Sequence, residues 1–76
     1  MRIAEIKPGS DFTLRIIADD GRNGLFDVTP YLKLEAFRAL KNRDEFMKVM
    51  NGKYFIEWDC GADLSADTIE AHLKTC

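Results

Sequence analysis

Phe46-Met47-Lys48-Val49-Met50-Asn51-Gly52-Lys53-Tyr54-Phe55-Ile56-Glu57-Trp58 is the stretch on which the fold turns. Asn-Gly between two runs rich in aromatic and β-branched residues predicts a hairpin of strands 46–50 and 53–58. The expected connection is a type I′ turn, because Asn51 and Gly52 both tolerate the positive φ that its central residues need. In the second strand Tyr54, Ile56 and Trp58 fall on one face, Phe55 and Glu57 on the other. An aromatic on each face predicts a strand that is central in its sheet or covered on both sides.

Upstream of the hairpin, Thr29-Pro30 predicts a helix start, with Thr29 as N-cap and Pro30 pre-set for the first helical position. Leu34, Phe37 and Leu40 then recur on one side, with Glu35, Arg38 and Lys41 on the other, so an amphipathic helix is expected over 30–41, ended by Asn42-Arg43-Asp44. Before it lie three strands. Residues 2–7 form a short edge strand closed by Pro8-Gly9, and Phe12 to Ala18 alternates with period two. Asp19 to Gly24 reverses the chain into a return strand at 25–28. Downstream, Asp59 to Asp63 reads as a turn, and Ser65 caps a helix from Ala66 to about Lys74 with Ile69 and Leu73 as its buried stripe. The expected class is α+β: a mostly antiparallel sheet of about five strands in β-β-β-α-β-β-α order with two helices. Phe12, Leu14, Ile16, Phe37, Leu40 and Ile56 are expected to share one core.

A chain of 76 residues has room for one core, so residues 1–76 are read as a single small domain. Its 46% hydrophobic and 32% charged content is that of a globular protein. No apolar run approaches the ~20 residues of a membrane span, and the N-terminus shows no export signal, so a cytoplasmic location is expected. The net charge of −2 argues against a general nucleic-acid binder. It does not remove a local basic face: Arg38, Lys41, Arg43 and Lys48 lie in a central stretch, 27–50, where cations exceed acids by one.

Chemistry-bearing residues are sparse. Cys60 and Cys76 belong to no C-x-x-C pair, and both thiols are expected to be reduced and unpaired. With His72 and a carboxylate they supply the ligand count of a zinc site only on paper, so no metal or cofactor is expected. His72, the single histidine, has no nucleophile–base constellation around it and reads as a helix-end residue complementing the dipole. Asp59, Asp63 and Asp67 recur every four residues, which is the wrong spacing for a calcium loop. The loop 19–24 lacks the lysine and the following helix of a phosphate cradle. No enzyme is legible.

The order and spacing of several short motifs resemble a known family. Asp27-Val28-Thr29-Pro30-Tyr31-Leu32, Phe37-Arg38-Ala39-Leu40, Phe46, Phe55-Ile56-Glu57-Trp58, Gly61 and Asp63-Leu64-Ser65 are similar to the bacterial "domain of unknown function 2442", over roughly residues 3–73. Members commonly place a proline and an asparagine between the tryptophan and the glycine, where this chain has Asp59-Cys60. The resemblance implies a small α+β domain and carries over no catalytic or ligand residue. Some relatives append a helix-turn-helix domain, which this chain is expected to lack. Many sit beside a second small protein in an arrangement suggestive of toxin–antitoxin pairs.

The function expected from these readings is a non-catalytic protein-interaction module, the partner-binding or antitoxin-like half of a two-protein bacterial system. Its partner would be another small protein or a second copy of the chain, met through apolar surface at Tyr54 and Phe55. The alternative is a nucleic-acid-associated regulatory module acting through Arg38, Lys41, Arg43 and Lys48. A small enzyme without a legible site comes third.

Overall fold

The computed structural model describes residues 1–9 and 11–75. Among the described residues seven short strands and two short α-helices follow one another, so the class is α+β. Strands β1 (Ile3–Pro8), β2 (Thr13–Ala18) and β3 (Asn23–Asp27) form the expected antiparallel meander. In β2, Leu14, Ile16 and Ala18 are buried while Arg15 is exposed, as period two dictates.

The single five-stranded sheet is corrected to two sheets. The meander gains a fourth strand, β7 (Lys74–Thr75), paired antiparallel to β3, giving the order β1-β2-β3-β7. The second sheet has the order β4-β5-β6, from Met50–Asn51, Phe55–Glu57 and Asp63–Ser65. The two are clamped together where the Ile3 N–H donates to the Lys53 carbonyl at 2.7 Å and the Asn51 amide nitrogen donates to the Ile3 carbonyl at 3.0 Å.

Residues 30–41 are not one α-helix. Thr29–Tyr31 and Glu35–Lys41 are two 3-10 segments. The reason is visible in the spacing of Leu34, Phe37 and Leu40, which is three throughout. An α-helix would fan these side chains over about 120°, whereas three residues per turn stack them in one line. Phe37 and Leu40 are buried; Leu34, at the N-cap, is not. The cap before Pro30 also differs from expectation, because the Asp27 carboxylate, rather than Thr29, accepts a backbone hydrogen bond, from the Thr29 N–H at 2.9 Å.

The strand expected at 46–50 is displaced by helix α1 (Arg43–Phe46). The Asn42 side-chain Oδ1 accepts from the Asp44 N–H at 2.9 Å, and Asp44 and Glu45 occupy the first turn where the dipole favours anions. Helix α2 (Ala66–His72) begins as expected, with the Ser65 hydroxyl accepting from the Thr68 N–H, but it ends at His72, two residues early. Leu73 turns to extended backbone there and feeds β7. Residues 59–63, expected to be a turn only, end in β6, with Gly61 at φ +96° making the reversal.

All six core residues named from the sequence pack together, Phe12 at the margin. A continuous chain of rings runs through that core: Phe12, Phe46, Trp58, Phe37, Tyr31 and Phe26, with centroids 5.3–6.2 Å apart. It links the residue before β2, α1, the residue after β5, both 3-10 segments and β3. The Trp58 Nε1–H donates to the Phe46 carbonyl at 2.9 Å, so its one polar group is satisfied inside the core.

Candidate interaction site

The hairpin that decides the fold also carries the most exposed aromatics. Asn51 pairs with Ile56, and the Gly52 N–H donates to the Phe55 carbonyl, so the loop is Lys53-Tyr54 rather than Asn51-Gly52. Lys53, at φ +73°, takes the left-handed position, and Gly52 does not have a positive φ. Gly52 serves a different purpose. A Cβ there would stand 2.4 Å from the Phe55 ring, so the missing side chain lets that ring lie across the neighbouring strand. The Asn51 Oδ1 accepts from the Lys53 N–H at 2.7 Å and fixes the loop from within.

The tip is held on two further sides. Ile3 donates to the Lys53 carbonyl, and the Ala66 N–H at the start of α2 donates to the Tyr54 carbonyl at 2.8 Å. From this fixed backbone Tyr54 projects 65% exposed and Phe55 41%. Strand β5 is central, as expected, but covered on one face only. Ile56 is buried with Leu64 opposite it, while Phe55 and Glu57 face outward. The outward face also carries Met50, directly opposite Glu57, and Asp63 on the far side of Glu57. The sequence does not bring Met50 to Glu57 and Asp63, because a turn at Asn51-Gly52 sets Met50 opposite Lys53 and residues 59–63 carry no strand signal, whereas the observed registers set Glu57 between Met50 and Asp63. The register of three short strands is needed to assemble them.

The four expected basic residues lie along one continuous stretch and are all exposed. Arg38 and Lys41 stand three apart in the second 3-10 segment, stacked in one line with Glu35. Arg43 opens α1, and Lys48, which follows that helix rather than lying in a strand, is held by Glu45 at 3.2 Å. Among the described residues Arg38, Lys41 and Arg43 form no ion pair.

A surface cleft of about 300 Å³ lies elsewhere, lined by Phe26, Asp27, Pro30, Tyr31, His72 and Lys74. The Phe26 and Tyr31 rings, stacked at 5.7 Å, are its aromatic lining residues, and His72 is an exposed residue of the last helical turn. Among the described residues its lining includes no serine, threonine or cysteine to act as a nucleophile beside that imidazole. Cys60 is a free, exposed thiol, and the expectation for Cys76 falls outside the described residues. Among the described residues no group of three His, Cys, Asp or Glu side chains is arranged to hold a metal, and no helix is long and apolar enough to cross a membrane.

The sequence model of one family, described as Protein of unknown function (DUF2442), matches residues 3–75, nearly the whole chain. The chain belongs to this family. The match covers both sheets, the exposed hairpin and α2, so the surface described above lies on the DUF2442 domain itself. Neither the curated proteins nor the solved structures contain a match. No enzyme assignment follows from this membership, and the functional reading rests on the geometry.

Proposed function

We propose that this DUF2442 chain is a non-catalytic protein-interaction module, the partner-binding, antitoxin-like half of a two-protein bacterial system. One observation carries the reading: a hairpin tip pinned by hydrogen bonds to β1 and to α2 holds Tyr54 and Phe55 out into solvent. Aromatic side chains on a fixed backbone lose little conformational freedom on docking, which favours their use as anchors. The test is co-purification of the tagged chain with the product of the adjacent gene. The wild type is expected to retain it, and Tyr54→Ala with Phe55→Ser is expected to weaken retention by roughly tenfold or more while the chain stays folded. Equal retention by both, or no complex at all, overturns the reading.

The second reading, a nucleic-acid-associated module, is favoured by the alignment of Arg38 and Lys41, free of ion pairs among the described residues, beside Arg43. Phosphate contacts of this kind weaken steeply with salt. Retardation of labelled duplex DNA at low salt, abolished in Arg38→Ala/Lys41→Ala, would select it over the first.

A further inference from the structure

The registers of the four-stranded sheet place Lys7 opposite Arg15, Arg15 opposite Leu25, and Leu25 opposite Lys74. These four residues form one row across all four strands, about 14 Å from end to end. All four are exposed, and Leu14, Ile16 and Phe26, which flank Arg15 and Leu25, are buried in the core, so the row lies on the outward face. Lys7 reaches Glu5 at 3.5 Å. Among the described residues Arg15 and Lys74 form no ion pair. The second sheet carries the opposite sign: Met50, Glu57 and Asp63 form its outward row, with Phe55 and Ser65 in the next.

Each row contains two like charges directly opposite one another, Lys7 with Arg15 and Glu57 with Asp63, an arrangement that destabilises a sheet standing alone in water. Setting one row against the other turns both repulsions into attractions. Both rows also have an apolar member, Leu25 in one and Met50 beside Phe55 in the other, each about 40% exposed. Setting Arg15 against Glu57 and Lys7 against Asp63 brings Leu25 onto Met50 at the end of the acidic row, an apolar contact bordered by complementary charges. We propose that the basic row Lys7–Arg15–Leu25–Lys74 of one copy docks on the acidic face Met50–Glu57–Asp63, with Phe55, of a second copy. The inference rests on the reading of the hairpin as an interaction element and names its occupant.

Charge reversal with rescue tests it. Arg15 and Glu57 are both exposed strand residues, so Arg15→Glu and Glu57→Lys are expected to fold, which circular dichroism checks. The readout is weight-average mass by sedimentation equilibrium at low salt, because a contact between unlike faces either closes or propagates. The wild type is expected above the 8.7 kDa of one chain. Each single reversal is expected to weaken association by roughly tenfold, and about 0.5 M salt to weaken the wild type in the same direction. The double variant, and an equimolar mixture of the two singles, are expected to recover it. Association untouched by either reversal, or not recovered in the double variant, overturns the proposal. So does a monomeric wild type whose basic row instead retains a labelled single-stranded oligonucleotide. A monomer that still holds a different protein through Tyr54 and Phe55 overturns self-docking and leaves the interaction reading standing; a monomer with no partner overturns both.

Discussion

Lys53 carries a full side chain at φ +73°, in a two-residue loop whose backbone is hydrogen-bonded on both sides. Left-handed backbone costs an L-residue about 1–2 kcal/mol, and glycine avoids that at a backbone-entropy cost of about 0.5–1 kcal/mol. Lys53→Gly is therefore expected to stabilise the protein by roughly 0.5 kcal/mol, raising the thermal midpoint by a few degrees. An unchanged or lowered midpoint would show that the lysine chain itself contributes. Trp58 makes the opposite case. Trp58→Phe keeps a ring in the aromatic chain but removes the donor to the Phe46 carbonyl, leaving a buried acceptor without its partner. The expected loss is about 1–3 kcal/mol, read in urea as a lower midpoint with unchanged slope.

Strand β7 has only two residues, and its attachment depends on Gly24, which the sequence presents as part of a turn. A Cβ on Gly24 would stand 2.5 Å from the Lys74 carbonyl oxygen and 3.0 Å from the Leu73 side chain. Backbone cannot yield as a side-chain tip can, so Gly24→Ala is expected to push β7 off the sheet. Faster amide exchange confined to 23–25 and 73–75, with a modest fall in stability, is the expected signature; uniform acceleration across β1 and β2 would contradict it. The same element marks the limit of what the sequence conveys. Strand β2, with one apolar face, and α2, with its Ser65 cap, were legible because their signals are local. Strands β6 and β7, of three and two residues, carry no periodicity of their own and exist only through partners far along the chain. The three-residue spacing of Leu34, Phe37 and Leu40 fits 3-10 geometry as well as the α-helical period, and the structure takes the former. At the candidate site, Tyr54 and Phe55 are legible in the sequence as aromatics on opposite faces of one strand. The two charged rows did not, because each is an alignment of separate strands that only the register creates.

Across the molecule, the loop between β2 and β3 is tied to α2 by a charged network. Arg22 bonds Asp20 at 2.7 Å and Glu70 at 2.9 Å, and the N-terminal amine lies 3.3 Å from Glu70. The Arg22 side chain, followed by the amine, holds the Glu70 carboxyl below its ordinary 4.5. Asp20 is held below its ordinary 3.8, chiefly by the backbone N–H of Arg22. Carboxyl groups depressed in the folded state bind fewer protons there than in the unfolded chain. Their contribution is complete above the unfolded values and is lost as pH falls through the lower folded ones. Stability is thus expected to be flat from neutrality to about pH 5 and to decline below it. Glu70→Gln removes one of the two groups. It is expected to lower stability at neutral pH, to shrink the acid decline, and to converge with the wild type once Glu70 would be protonated in both states. Because these groups are exposed, added salt should narrow the neutral-pH gap as well. Urea unfolding at neutral pH and at about pH 3, each at low and high salt, checks all three. A gap between the two proteins that is constant across pH and salt would mean that Glu70 acts through packing rather than charge, and the network would not be what ties the loop to α2.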